Sequence, residues 1–175
     1  DPIPKVTISV TLVTLGDPVT TKNEPKLREL LQISRALAEK TALAELSPGS
    51  ALHDAIRFQY RTPGSEARAA LCLSASLALG LTAESAARLA ASVETLHNAS
   101  LIQDDLQDRD ELRRGKTAIW KQFGPDIAIN ATDLLIATAF ELVASASSGS
   151  AHRLVSTMSR AIARTLQGQT KDLDA

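Results

Sequence analysis

The chain has 175 residues, of which 44% are hydrophobic and 3% are aromatic, and its formal net charge at pH 7 is −1. This length allows one or two domains with a substantial core, which must consist mainly of Ala, Leu, Ile and Val because aromatic residues are so scarce. The near-zero net charge provides no overall electrostatic attraction to nucleic acid. The single cysteine, Cys72, excludes an intramolecular disulfide, and no spacing of Cys and His is typical of a zinc site.

The first 23 residues differ from the rest of the chain. The segment from Val6 to Leu15 alternates apolar and hydroxylated residues, which is typical of a strand, and Gly16 interrupts the pattern. No partner strand is evident in the sequence. We therefore interpret residues 1–23 as an extended N-terminal arm, and the alternative is an edge strand that pairs with another chain. Its first ten residues lack the basic region and apolar core of a signal peptide.

Helical periodicity dominates residues 24–175, which we predict to form one all-α domain. Apolar residues recur at intervals of three and four, and Pro and Gly separate the segments. Thr82 has the character of an N-cap before the longest helix. The helices are predicted at residues 26–46, 50–60, 65–79, 82–108, 127–146 and 151–175.

The most apolar segment, residues 127–146, is predicted to be a buried helix and not a membrane span, because Asp133 and Glu141 interrupt it. We therefore expect no transmembrane segment. The lone cysteine fits a reducing compartment, so we expect the protein in the cytoplasm or within an organelle.

An acidic cluster at the end of the long helix gives the first indication of function. Residues 104–108 read D-D-L-Q-D, which is a D-D-x-x-D pattern. In a helix, His97, Leu101, Asp104 and Asp108 lie at i, i+4, i+7 and i+11, and they therefore share one stripe. We expect the two aspartates to point the same way, one turn apart.

Carboxylates are unfavourable at a helix C-terminus, because the partial negative charge of that end costs them up to about 1 kcal/mol. Mg²⁺ removes this penalty, since it commonly binds one or two carboxylates together with substrate phosphates. Arg113 and Arg114 follow the cluster and offer planar cations suited to phosphate oxygens. The combination indicates a site for a diphosphate ester, and the alternative is a solvated loop of mixed charge.

The wider sequence H-N-A-S-L-I-Q-D-D-L-Q-D, followed by L-R-R-G-K and F-G, resembles the first aspartate-rich region of the trans-isoprenyl diphosphate synthases, or polyprenyl synthases. The resemblance covers residues 51–175 and corresponds to the N-terminal half of that family's chain. It implies an isoprenoid-synthase-like helical bundle and a Mg²⁺-dependent prenyl transfer. In that reaction an allylic prenyl diphosphate condenses with isopentenyl diphosphate to give a longer trans-prenyl diphosphate.

The resemblance also implies roles for individual residues. Asp104 and Asp108 would bind Mg²⁺, with Asp105 in support. Arg113 would bind the allylic diphosphate and stabilise it as it leaves, and Arg114 would bind the diphosphate of the isopentenyl donor. His97 occupies the position of a residue that contacts the donor diphosphate.

The sequence departs from the family in the segment that would bind the donor. Residues 62–68 lie where the family has G-G-K-x-x-R, and Arg68 matches the arginine, but Ser65 replaces the lysine and Glu66 adds an acid. A charge about 4 Å from a diphosphate oxygen interacts by on the order of 4 kcal/mol at an effective dielectric of about 20, before solvation. We therefore expect weakened donor binding, and the alternative for Arg68 is an exposed arginine at a helix start.

Two further pairs follow from the resemblance. Ala99 and Ser100 stand where bulky aromatic residues close the product tunnel in some family members. Small residues there predict a product of geranylgeranyl diphosphate or longer, and the alternative is that they only allow close helix packing. Gln169 and Asp172, in the sequence G-Q-x-x-D, are expected to line the cavity opposite the aspartate cluster.

A second aspartate-rich cluster, which the family requires, does not occur in these 175 residues. We expect the domain at residues 24–175 to be truncated before that motif, with the remainder in a longer protein or on another polypeptide, in a homodimer or heteromer. Two alternatives stay open. One is a class I terpene cyclase-like enzyme, which uses the metal cluster without an isopentenyl donor, and the other is a non-catalytic regulatory subunit of a prenyl diphosphate synthase.

Overall fold

A computed structural model describes residues 24–62, 64–146, 149 and 151–173, without the side chains of residues 24–26, 172 and 173. The predicted N-terminal arm at residues 1–23 lies outside this part of the chain. The described elements, in chain order, are α1 (Glu24–Leu43), α2 (Ala51–Arg61), α3 (Ala67–Ala78), α4 (Ala83–Asp108), β1 (Leu112–Arg113), β2 (Lys116–Thr117), α5 (Ile119–Phe123), α6 (Pro125–Ala144) and α7 (Ala151–Leu173).

The predicted all-α architecture is confirmed. Each predicted helix is present, with ends that differ by no more than three residues from the prediction. Two side-chain caps explain where helices begin: Ser50 Oγ accepts from the His53 N–H over 3.2 Å, and Thr82 Oγ1 accepts from the Ser85 N–H over 3.2 Å. The short helix α5 and the hairpin of β1 and β2 were not predicted.

Helix α4 is the centre of the bundle, because it packs against α1, α3, α5 and α6. Alanine makes this packing close: it accounts for 14 of the 23 buried hydrophobic residues. Short side chains let helix axes approach to the lower end of the usual 8–10 Å range. The backbone is near enough for Ser92 Oγ on α4 to donate to the carbonyl oxygen of Ala139 on α6 over 2.8 Å.

A buried polar contact joins α2 to α4. The hydroxyl of Tyr60 lies 3.1 Å from Thr95 Oγ1, and both residues are buried. Burial raises the pKa of Tyr60 to about 12. The phenol therefore remains neutral at physiological pH, as a buried hydroxyl with a single hydrogen-bond partner should.

Helix α6 is long and apolar enough to cross a membrane by length and composition, and it is the only helix in the described part of the chain with that property. However, 44% of its most apolar window is buried inside the bundle. The helix contacts α1, α2, α4, α5 and α7. These contacts are those of a core helix, as predicted from the charges that interrupt the segment.

Candidate active site

The acidic cluster lies on the last two turns of α4, and its three carboxylates face different surroundings. Asp104 is partly exposed, Asp108 is fully on the surface, and Asp105 is buried with 4% of its surface exposed. Asp104 and Asp108 lie one turn apart on the predicted stripe. Asp105 is rotated about 100° from Asp104 on the helix, and its side chain therefore points into the protein.

The carbonyl oxygen of Asp105 accepts the hydrogen bonds that end α4. Arg109 takes the left-handed conformation with φ of 58° and donates its N–H to the carbonyl oxygen of Asp105. Asp110 donates its N–H to that carbonyl as well, over 2.9 Å. These bonds satisfy helix-terminal carbonyl groups and turn the chain sharply toward the hairpin.

The hairpin that follows brings the cationic residues back toward α4. Leu112 pairs with Thr117 and Arg113 with Lys116 in antiparallel register, which leaves a two-residue turn. Both turn residues have positive φ, 53° at Arg114 and 77° at Gly115, as a type I′ turn requires. Arginine is an unusual residue in this conformation, which supports a functional reason for its presence.

Arg113 forms an ion pair with the buried aspartate. Its Nε–H donates to Asp105 Oδ1, and its Nη2 lies 4.0 Å from Asp110 Oδ2. Burial raises the pKa of Asp105 above its usual value, and the Arg113 guanidinium opposes that rise. The predicted support that Asp105 gives to a metal site is therefore indirect in this structure, because its carboxylate contacts an arginine and not the Asp104–Asp108 stripe.

Gln169 on α7 contacts the aspartate cluster at Asp104, whereas Arg113 contacts it at Asp105. Its Nε2 donates to Asp104 Oδ1 over 2.9 Å. Burial raises the pKa of Asp104, and Arg113 lowers it. Gln169 was expected to line the cavity opposite the cluster, and it contacts the cluster directly instead. The side chain of Asp172 lies outside the described residues.

Asp104 and Asp108 suit the chemistry of a Mg²⁺ site. Within the described residues no group of three or more His, Cys, Asp or Glu side chains is placed to hold a metal ion. Two adjacent carboxylates with further oxygen ligands from phosphate and water nevertheless match the usual coordination of Mg²⁺, which seldom has an all-protein cage. The donor set therefore fits Mg²⁺ bound together with a diphosphate.

A second group of cations gathers where α3 begins. Arg68 Nη1 lies 3.2 Å from His97 Nε2, so the two predicted donor-site residues meet across α3 and α4. Burial lowers the pKa of His97, and the nearby charges of Arg68, Arg114 and Arg113 lower it further. His97 is therefore neutral at pH 7 and can accept a proton when negative charge arrives.

Arg114 is the third cation of this group, and its side chain lies against Gly64 in the loop before α3. A Cβ atom at Gly64 would lie 2.7 Å from Arg114 Nη1, so only glycine permits this close approach. Glu94 stands beside them: one carboxylate oxygen accepts from the N–H of Ala69, and burial raises its pKa despite the neighbouring arginines. Its Oε2 is buried without a hydrogen-bond partner among the described residues.

Glu66 lines the cavity and has an ion-pair partner on α1. Its carboxylate pairs with Arg35 on α1 over 3.4 Å, and Arg35 also donates to the carbonyl oxygen of Tyr60. Arg35 precedes Glu66 by 31 residues, so the sequence did not indicate this partner. The ion pair reduces the negative charge that Glu66 adds, and the expected weakening of donor binding stays a prediction.

One cavity lies between α1, α2, α3, α4 and the hairpin. Asp105, Arg113 and Arg114 line it, whereas Asp104, Asp108, Gln169, Arg68 and His97 are not among its lining residues. Charged side chains of both signs line it: Arg35, Glu66, Glu94, Asp105, Arg113, Arg114 and Lys116.

Neither Ala99 nor Ser100, the residues expected to set the product length, is part of this lining. Ala99 is buried in the main core with 1% exposure, and Ser100 Oγ donates to the His97 carbonyl over 2.8 Å. The described part of the chain therefore supports close packing at these positions and gives no tunnel to measure.

Sequence reasoning missed Glu94 and Arg35 as members of the site. Glu94 lies three residues before His97, at a spacing that puts both on one helix face, and this signal was available. Arg35 had no comparable signal, because its contact with Glu66 depends on how α1 lies against α3.

Comparisons with known proteins show the family of the chain. Residues 50–175 match the family described as Polyprenyl synthetase. Geranylgeranyl pyrophosphate synthase 4 from Arabidopsis thaliana is 38% identical over 149 residues, which are 82% of this chain and 39% of that protein. A chloroplastic geranylgeranyl pyrophosphate synthase from Capsicum annuum is 37% identical over 121 residues, which are 68% of this chain and 32% of that protein.

A solved structure shows the same fold. The geranylgeranyl pyrophosphate synthetase from the archaeon Geoglobus acetivorans superimposes with a TM-score of 0.75 and 29% identity, over 85% of this chain and 48% of that one. This chain thus spans about a third of the length of the curated relatives and about half of the solved structure.

Proposed function

The chain belongs to the polyprenyl synthetase family, as its motifs predicted, and from this premise we propose that it forms one wall of the active site of a Mg²⁺-dependent trans-prenyltransferase. The enzyme would condense an allylic prenyl diphosphate with isopentenyl diphosphate. The observation that carries the proposal is the grouping of Asp104 with Gln169 on one side of α4 and of Arg113 with Asp105 on the other. The charge of Arg113 acts on Asp104, and a carboxylate close to an arginine suits a metal-bound diphosphate.

The aspartates and Arg113 would have different roles in the reaction. Asp104 and Asp108 would hold Mg²⁺, which neutralises the diphosphate oxygens and makes the diphosphate a better leaving group. Arg113 would bind the same diphosphate and stabilise the charge that develops on it as the C–O bond breaks. The allylic cation would then be attacked by the double bond of isopentenyl diphosphate, and a proton would be lost.

The second group of residues would bind the isopentenyl donor. Arg68 and His97 are in contact near the start of α3, and the charge of Arg114 also acts on His97. The pairing of Glu66 with Arg35 supports donor binding despite the missing lysine at Ser65. Relatives named geranylgeranyl pyrophosphate synthase support geranylgeranyl diphosphate as the product, and the small residues Ala99 and Ser100 agree with it or with a longer one.

Two observations favour other functions. Ser65 and the buried carboxylate of Glu94 would suit a cyclase-like enzyme that has no isopentenyl donor. A relative in Arabidopsis thaliana, 42% identical over 99 residues, is named as the large subunit of a heterodimeric geranylgeranyl pyrophosphate synthase, which would suit a heteromer or a regulatory subunit.

The first test is binding of inorganic diphosphate by calorimetry, with and without Mg²⁺. Binding should require Mg²⁺ and should be lost in Asp104→Asn. The control Asp126→Asn removes an exposed carboxylate at the start of α6 and should bind like the wild type. Equal binding by the wild type and Asp104→Asn would refute the metal site.

A second test identifies the reaction. The protein is incubated with Mg²⁺ and farnesyl diphosphate, with and without isopentenyl diphosphate, and the products are identified by mass spectrometry. A longer prenyl diphosphate that forms only with the donor supports the transferase. A hydrocarbon or alcohol formed without the donor supports the cyclase, and Mg²⁺-dependent binding without turnover supports the subunit.

A further inference from the structure

Asp105 stands apart from the other two aspartates of its motif. Among the residues that the structure describes, it is the only charged residue that is buried. A carboxylate buried in this way is costly unless a cation and further hydrogen bonds compensate for the loss of water. Arg113 is that cation, since its Nε–H donates directly to Asp105 Oδ1.

The geometry of the pair matters for Arg113. A guanidinium group presents two edges to planar anions, one formed by Nε and a terminal nitrogen and one formed by the two terminal nitrogens. Asp105 contacts the guanidinium through Nε. On the outer edge, Nη2 lies 4.0 Å from Asp110 Oδ2, and Arg113 and Asp105 both line the cavity. An arginine held by its inner edge is oriented for a two-oxygen contact with phosphate.

The backbone around Asp105 strengthens this arrangement. Its carbonyl oxygen accepts the N–H groups of Arg109 and Asp110. Its side chain holds Arg113, and the cross-strand pairing of Arg113 with Lys116 fixes the hairpin backbone. One residue therefore sets both where the hairpin starts and which way its first arginine points.

We propose that Asp105 is a positioning residue that orients Arg113 for the diphosphate and is not a ligand of the metal. The proposal rests on the function proposed above and assigns different tasks to adjacent aspartates. Asp104 acts on the metal side of α4, where Gln169 contacts it, and Asp105 acts on the arginine side. The assignment gives the expected support by Asp105 a specific form, because it acts through Arg113.

The test is a double-mutant cycle on the affinity for inorganic diphosphate in the presence of Mg²⁺. Asp105→Asn keeps the shape of the side chain and removes its charge, and Arg113→Gln removes the guanidinium. We expect each single variant to bind diphosphate about tenfold more weakly or worse, and the double variant to bind no more weakly than Arg113→Gln alone. Losses that simply add would overturn the proposal.

The metal dependence provides the readout that a merely structural role would not change. At fixed diphosphate, Asp105→Asn should leave the midpoint of the Mg²⁺ titration within twofold of wild type, whereas Asp104→Asn should raise it by tenfold or more. A midpoint raised equally in both variants would make Asp105 a metal ligand and overturn the proposal. Failure of the wild-type protein to bind diphosphate would instead refute the proposed function.

A measurement that needs no change at Asp105 covers the case in which Asp105→Asn does not fold. Arginine-selective NMR should show one Nε–H signal that exchanges slowly with water, and this signal should be absent from Arg113→Lys. The signal should stay protected when diphosphate and Mg²⁺ are added. Rapid exchange of that proton in the bound state would show that Asp105 releases Arg113, and the proposal would be wrong.

Discussion

Gln169 Nε2 donates to Asp104 Oδ1 over 2.9 Å, although 65 residues separate the two in the sequence. This bond joins the end of α7 to the end of α4 at the candidate metal site. A hydrogen bond to a charged group is usually stronger than one between neutral groups. The bond therefore restricts the rotamer of Asp104 before any metal arrives.

Replacement of Gln169 should test this restriction. Gln169→Leu removes the donor, and we expect Mg²⁺-dependent diphosphate binding to weaken by about tenfold, which corresponds to about 1.4 kcal/mol. Calorimetry measures the change. The matched control is Gln167→Leu, since Gln167 is exposed on the same helix and should bind like wild type. Equal loss in both variants would attribute the effect to general damage to α7.

Diphosphate binding should cause proton uptake at His97. Burial and the charges of Arg68, Arg114 and Arg113 lower the pKa of His97 in the free protein. An anion that neutralises these arginines raises that pKa, so binding should tighten as the pH falls from 7 toward the free-state pKa and level off below it. One pKa unit corresponds to about tenfold in affinity.

The proton can be counted by calorimetry at pH 6.5 in two buffers of different ionisation enthalpy. His97→Gln keeps the hydrogen-bonding capacity of the side chain and cannot titrate, so it should retain only the pH dependence that diphosphate itself contributes. An identical pH dependence in wild type and His97→Gln would contradict the prediction.

Tyr60 should titrate far above a normal phenol. It is the only tyrosine in the chain, so the ultraviolet absorbance of tyrosinate reports on this residue alone. Its pKa is raised by burial to about 12 in the folded state, compared with 10 as the ordinary value. The raised pKa adds stability below pH 10 and this stability is lost as the pH rises through 10 to 12.

Urea denaturation at pH 9 and pH 11 checks the consequence. Wild type should lose about 1.4 kcal/mol more than Tyr60→Phe between these values, since Phe cannot ionise. At pH 9 the Phe variant should itself be about 1–2 kcal/mol less stable, because it leaves the Thr95 hydroxyl without its partner. A native tyrosinate transition near pH 10 would disprove the burial argument.

Gly64→Ala should displace Arg114 with little effect on folding. The new Cβ would lie 2.7 Å from Arg114 Nη1, and the end of a long side chain can move away at small cost. We expect a change in unfolding free energy below about 1 kcal/mol and a several-fold weaker affinity for isopentenyl diphosphate. Gly149→Ala is the control, since a Cβ there meets nothing within 4 Å. Unchanged affinity in Gly64→Ala would remove Arg114 from the donor site.

Ser65→Lys should strengthen donor binding. The lysine would restore the family's cation in the loop before α3, whose N-terminal Ala69 N–H is bonded to Glu94. Glu94 Oε2, which lacks a partner among the described residues, is available to such an ammonium group. We expect affinity for isopentenyl diphosphate to rise about tenfold, as measured by calorimetry, and Ser65→Gln, of similar length and no charge, to show no gain. A gain of equal size in both would argue against a charge effect.

Much of the fold follows from local sequence signals. The N-caps at Ser50 and Thr82 need only a hydroxyl before an apolar periodic segment. The shared stripe of Asp104 and Asp108 follows from helix geometry alone. These features depend on residues within a few positions of one another, so one sequence suffices to predict them.

The parts that were missed depend on distant contacts or on rare backbone conformations. The type I′ turn places Arg114 at positive φ, for which arginine gives almost no signal, and the hairpin was therefore read as a loop. The pairing of Arg35 with Glu66 and of Asp105 with Arg113 decides which charges act on the cavity. Sequence alone identified the charges but not their partners.

The alanine-rich contact between α4 and α6 has a mechanical consequence. Alanine loses no side-chain entropy on burial, so this contact forms at low entropic cost. For the same reason it has no alternative rotamers with which to absorb a shift of the backbone. The α4–α6 contact therefore has little freedom to adapt to a shift of α4. Because Asp104 and Asp105 are adjacent on α4, a displacement of Asp105 by the hairpin would also alter the hydrogen bond between Asp104 and Gln169 on α7.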